Sequence, residues 1–182
     1  MPEDSVVGSP NHFAESYDVA LARQGDERAV AAMFHQLHPL VLRYVRSQEP
    51  RVADDIAAEV WLAVAAGLCR FEGDAPSLRA WVFSIARRRV MDHRRVSARR
   101  RTDVAASDAF DGTATDRATD DTAFDHLDAQ AATALVTSLL EPVQAEVVLL
   151  RVLGDLDAEQ IATIMDRTPN WVRVTQHRAF RR

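Results

Sequence analysis

A chain of 182 residues that is 47% hydrophobic and 27% charged has the make-up of a globular protein of one medium domain or two small ones. No apolar run approaches the roughly 20 residues of a membrane span, the polar, acidic start M-P-E-D-S-V-V-G-S-P-N-H is unlike a signal peptide, and the single cysteine, Cys69, excludes an internal disulfide. The expected compartment is therefore the cytoplasm, with no direct insertion into a membrane.

The net charge of −5 conceals a strong segregation. Residues 87–101 carry 8 Arg and 1 Asp, residues 102–128 carry 1 Arg and 8 Asp, and residues 166–182 carry 5 Arg and 1 Asp. Every basic residue other than histidine is Arg. Two basic blocks flanking an acidic one imply two contact sites for a polyanion, with a spacer that avoids it.

In chain order, residues 1 to about 16 are expected to be disordered. From Asp26 to Ser47, Val30, Met33, Phe34, Leu37, Val41, Tyr44 and Val45 recur at helical spacing, and Pro39 is expected to bend or interrupt that helix. A second helix spans about Val52 to Ala66, with Ile56, Val60 and Val64 on one face and Asp54 and Asp55 in its first turn, where the dipole favours acids. Cys69, near the end of this apolar helix, is expected to pack.

Arg70 to Ser77 reads as a loop holding Gly73, Asp74 and Pro76. A long helix follows from about Leu78 to Ala98, with Leu78, Trp81, Val82 and Ile85 on its buried side and Arg87, Arg88, Arg89, Arg94 and Arg95 in its second half. The stretch Ala58 to Arg94 thus joins an amphipathic helix, a polar loop and an aromatic-bearing helix that runs into an arginine block. That combination points to nucleic acid, because aromatics stack on unpaired bases and arginines hold phosphates.

Thr102 to Asp128 is rich in Ala, Asp and Thr and reads as a linker. Helical character returns near Phe124 to Leu140, and again from Pro142 to Leu153, with Gly154 as a stop. The last segment reads as a helix-turn-helix. Asp157 caps A-E-Q-I-A-T-I-M with Gln160 placed for a capping box, D-R-T turns, and Thr168 caps a second helix that starts at Pro169. On that helix Val172, Thr175, Gln176 and Ala179 are expected to face inward, and Asn170, Arg173, Val174, His177 and Arg178 outward toward a groove.

Eight arginines in 15 residues exceed what solubility requires, so DNA contact is favoured over a solvated face. Trp81 reads as core in preference to base stacking. Phe83 lies off the main apolar stripe and fits core or base contact. Trp61 fits core or partner contact, and Trp171 fits packing or DNA contact. No nucleophile–base set, phosphate-binding glycine loop or metal-ligand cluster is present in the sequence. No catalytic residue, metal, cofactor or small-molecule substrate is therefore expected. A stand-alone helix-turn-helix regulator is the main alternative, though no dimerisation heptads accompany it.

These segments resemble the extracytoplasmic-function (ECF) group of bacterial RNA polymerase sigma factors, in the sigma-70 family. G-D-E-R-A-V, A-D-D-I-A-A-E-V-W, R-F-E-G and L-R-A-W-V-F-S-I-A-R are similar to region 2. E-V-V-L-L-R-V, D-A-E-Q-I-A-T-I-M and W-V-R-V-T-Q-H-R-A-F-R-R are similar to region 4. The sequence departs from the family pattern at Arg88, Val174, Thr175 and Gln176.

The resemblance implies an all-α protein of two small helical domains, at 17–101 and 133–182, joined by a flexible acidic linker at 102–132. It implies binding of core RNA polymerase, at the β′ clamp helices and the β flap, with Asp54, Asp55, Ile56, Glu59, Val60 and Trp61 docking on the clamp. It implies contact with the −10 promoter element through Arg70, Phe71, Glu72, Gly73, Asp74, Arg79, Phe83, Arg87, Arg88, Arg94 and Arg95. Contact with the −35 element falls to Thr168, Asn170, Trp171, Arg173, Val174, His177 and Arg178. An anti-sigma factor is an expected further partner. The two elements lie about 25 base pairs apart, on the order of 85 Å, and an extended linker of about 30 residues reaches roughly 100 Å.

Overall fold

Eight α-helices account for the fold in the computed structural model, which describes residues 17–104 and 123–181. The disorder expected for residues 1–16, and the acidic linker over residues 105–122, lie outside the described residues. Among the described residues there is no strand, and the architecture is all-α.

The N-terminal half holds α1 (Val19–Arg23), α2 (Glu27–Gln48), α3 (Ala53–Gly67) and α4 (Ala75–Val104). Helix α1 was not foreseen, being short and weakly patterned. Asp26 caps α2, its Oδ1 accepting from the Ala29 N–H at 2.9 Å. Helix α2 runs through Pro39 without the expected break. Proline removes one helical hydrogen bond, but Met33, Leu37, Val41, Tyr44 and Val45 are all buried on one face and hold the helix across the gap.

Ile56, Val60 and Val64 of α3 meet that face, together with Leu78, Val82, Phe83, Ala86 and Val90 of α4. Helix α4 begins earlier than expected. Asp74 accepts from the Ser77 N–H at 2.9 Å, and Pro76 lies in the first turn, where a missing N–H costs nothing. The connection is thereby cut to Phe71–Asp74, preceded by a 3₁₀ turn at Leu68–Arg70. Cys69 sits in that turn and is exposed, contrary to the packing expectation.

The C-terminal half holds α5 (Ala123–Leu139), α6 (Pro142–Gly154), α7 (Ala158–Met165) and α8 (Pro169–Phe180). Helix α5 opens inside the range read as linker. The capping box of α7 forms: Asp157 Oδ1 accepts from the Gln160 N–H at 2.7 Å, and Gln160 Oε1 from the Asp157 N–H at 3.0 Å. Helix α6 ends at Gly154 as expected, and the left-handed cap conformation falls to the next residue, Asp155, with φ of 48°. Gly154 serves close approach, since a Cβ there would stand 2.8 Å from the Leu156 side chain. Helix α6 packs against both α2 and α4, α7 against α4, and α5 against α2. One apolar core therefore runs through both halves.

Candidate polymerase and promoter surfaces

Helix α3 divides its residues by face. Ile56 and Val60, named with the docking set, lie in the core at 3% and 0% exposure and present nothing to a partner. Asp54, Asp55 and Glu59 are exposed on the other side. Leu62 joins them at 72% exposure; sequence reasoning missed it, although its place three residues after Glu59 and seven after Asp55, opposite the Ile56, Val60 and Val64 stripe, was a signal. Asp54 pairs with Arg46 at 3.2 Å, and Glu59 approaches Arg89 at 4.0 Å; both pairs are solvated and contribute little to stability.

Trp61 is half-buried and donates its indole N–H to His38 Nδ1 at 3.0 Å, while the His38 ring stacks on Phe34 at 4.7 Å. That nitrogen must be unprotonated to accept. Burial pushes the His38 pKa below its ordinary value, with Asp54 pulling the other way.

The turn between α3 and α4 is shaped by aromatic packing. Phe71 lies against Trp81 with ring centroids 5.3 Å apart, and Trp81 in turn covers Gly67, where a Cβ would come within 2.8 Å of the indole. Gly73, at φ of 148°, would with a Cβ collide with both Phe71 and Ser77 at 2.9 Å. Arg70, Glu72, Gly73 and Asp74 are exposed along this turn. Hydrogen bonds from Ser77 hold the Asp74 carboxyl below its usual pKa, consistent with its work as a helix cap.

The arginines of α4 meet different fates. Arg88 and Arg95 are exposed, the latter pairing with Asp92 at 3.3 Å. Arg94 is anchored to Glu49 at 2.6 Å and to the Gln48 carbonyl at 3.0 Å. Arg87 donates to Glu146 at 3.0 Å and to the Ile164 carbonyl at 3.2 Å. Arg79 is 5% exposed and donates to Asp155 at 3.1 Å. Phe83 has 0% exposure and packs edge-on to Tyr44 at 5.8 Å. Of its two readings the structure takes the core one, and no base reaches its ring in this arrangement.

Sequence reasoning missed Glu146 and Asp155. A signal was present, since Glu146 stands alone among Ala145, Val147, Val148, Leu149 and Leu150, and an acid at such a site needs a partner.

Helix α8 follows the expected division. Val172, Thr175 and Ala179 are buried and Gln176, expected with them, is half-buried, while Asn170, Arg173, Val174, His177 and Arg178 are exposed. The Thr168 hydroxyl is occupied as the cap, accepting from the Trp171 N–H at 3.2 Å. Trp171 is half-buried, with the Arg167 guanidinium 5.5 Å over its ring. Arg173 pairs with Glu159 of α7 on the surface. No group of metal ligands occurs among the described residues.

Comparison with known proteins matches this division. Residues 33–100 match Sigma-70 region 2, and residues 125–182 match Sigma-70, region 4. The ECF RNA polymerase sigma factor ShbA of Streptomyces griseus is 33% identical over 99% of this chain and 94% of its own length. SigD of Mycobacterium tuberculosis is 32% identical over 90% of this chain and 79% of its own. BldN of Streptomyces coelicolor is 28% identical over 90% of this chain and 62% of its own. With both regions matched in order, and helices for each in place, the chain belongs to the ECF group of sigma-70 RNA polymerase sigma factors, proteins of promoter recognition and transcription initiation.

Proposed function

We propose that this sigma factor docks on core RNA polymerase through the outer face of α3 and directs it to promoters with one half on each element. Asp54, Asp55, Glu59 and Leu62 form the docking face, an apolar centre ringed by acids. The turn from Arg70 to Asp74, with the exposed Arg88 and Arg95 beyond it on α4, serves the −10 element and the melting of its duplex. The outer face of α8 serves the −35 element in the major groove. The protein catalyses no reaction itself, works in the cytoplasm and is held in check by an anti-sigma partner.

The observation that carries this reading is the division of exposed charge by helix. Asp54, Asp55 and Glu59 are exposed on α3, whereas Arg88 and Arg95 are exposed on α4 and Arg173 and Arg178 on α8, so an acidic helix is available to polymerase and two basic ones to DNA. Run-off transcription with core polymerase and a genomic promoter library tests it. Initiation that depends on both protein and core is expected; no initiation from any promoter overturns it.

A further inference from the structure

The arginines of the C-terminal basic block look interchangeable in sequence, yet one is held differently from the rest. Arg167, Arg173, Arg178 and Arg181 are all exposed. Among the described residues, Arg173 is the one of these with a carboxylate partner: its Nη2 donates to Glu159 Oε1, in the first turn of α7. The two side chains are 57% and 61% exposed, so their pairing adds little to stability. Nor do α7 and α8 need it to stay together, since Ile161, Ala162 and Met165 already share the core with Val172.

On a DNA-binding face the same pair has a drawback. A carboxylate on the first helix of such a motif stands where that helix crosses the phosphate backbone, and it cancels the attraction of Arg173 for any polyanion. A pair that stabilises little and weakens sequence-independent binding fits a role in reading sequence. An arginine left loose beside DNA is drawn to the nearest phosphate, a contact that carries no sequence information. A guanidinium held at one nitrogen keeps its other donors in a rigid fork for a base edge. Arg173 is the fifth residue of α8, in the N-terminal part of a recognition helix that meets base edges. The edge that matches its fork is guanine, whose O6 and N7 accept it bidentately.

We propose that Glu159 is a specificity-determining residue of this sigma factor: it keeps the Arg173 guanidinium off the phosphates and aims it at a guanine of the −35 element. This rests on the assignment of α8 to that element. A released guanidinium that stands in the reading orientation about 10–30% of the time weakens apparent affinity for the matched base about three- to tenfold. Release also restores one positive charge toward phosphates, so the log–log salt slope of binding to non-promoter DNA steepens by about one.

The test is run-off transcription by the full chain with core polymerase on a promoter library randomised across the −35 element, read as transcript counts for each base at each position. The wild type is expected to favour guanine at one position and Arg173→Ala to lose that preference. E159Q should lose about three- to tenfold of it at the same position and keep the preferences at the others. Non-promoter duplex added as competitor should inhibit E159Q more than the wild type, with the steeper salt dependence. An unchanged base profile in E159Q overturns the inference, and so does an even loss across all positions, which is the mark of a merely structural acid. Equal inhibition by competitor, or a base other than guanine at the position set by Arg173, overturns it as well. The two ideas fail separately. A wild type indifferent to every −35 position defeats the assignment of α8, whereas a guanine preference that Arg173→Ala removes and E159Q leaves intact defeats the role of Glu159 alone.

Discussion

Replacing Phe83 with alanine separates a core role from a DNA role at one position. The ring has 0% exposure and lies edge-on to Tyr44 at 5.8 Å, in the core shared by α2 and α4. Truncating a buried phenylalanine removes its transfer free energy and leaves a cavity, together about 3–5 kcal/mol. The lost aromatic pairing, worth about 0.5–1.5 kcal/mol, is part of that cost. Against a total of about 5–15 kcal/mol for a natural domain, the loss is severe. Thermal unfolding followed by circular dichroism is expected to show a midpoint lowered by about 6–20 °C, at about 2–4 °C per kcal/mol for a chain of this size. Phe83→Leu, which keeps most of the volume, should recover most of the midpoint and normal initiation. Unchanged stability in Phe83→Ala, with promoter opening lost, would refute the reasoning and return the ring to the −10 surface.

Three further outcomes are expected. Arg173→Ala should weaken initiation at promoters with a good −35 element by about 1–3 kcal/mol in apparent binding; equal losses at promoters with and without that element would show that Arg173 does not read it. Asp157→Ala removes the capping box of α7 and should cost about 1 kcal/mol in urea unfolding, while Asp157→Asn, which also caps well, should cost less; equal costs would mean that the cap geometry is not what stabilises α7. His38 has its pKa depressed by burial, so the unfolded chain takes up this proton first as pH falls. Stability is fully present above about pH 6.5, the ordinary histidine value, and declines below it. His38→Gln should flatten that part of a pH–stability curve, and an unaltered slope would assign the titration to another group.

Much of the molecule was written in local patterns. The cap at Asp157, the proline at position 169 and the inward and outward faces of α8 follow from residue chemistry within a few positions, and the structure repeats them. The acidic face of α3 was legible for the same reason. Other features depended on partners distant in sequence. Pro39 reads as a breaker until the buried face of α2 is seen to hold the helix together. Phe83 sits off the apolar stripe of α4 when the helix is considered alone, and becomes core only because Tyr44 lies opposite. Leu62, by contrast, was legible: two residues from both Val60 and Val64, it stands on the side of α3 opposite the covered face.

The sequence by itself determined the longer helices, the caps at Asp157 and Thr168, the two basic blocks and the family, because each depends on the order of residues along a short stretch. Only the tertiary structure decided which arginines are left exposed. Arg79, Arg87 and Arg88 belong to one basic-rich helix and look alike in sequence, yet the first two are claimed by Asp155 and Glu146, 76 and 59 positions away, while Arg88 is exposed. A charge takes its role from the partner that reaches it, and that partner is set by packing α6 and α7 against α4.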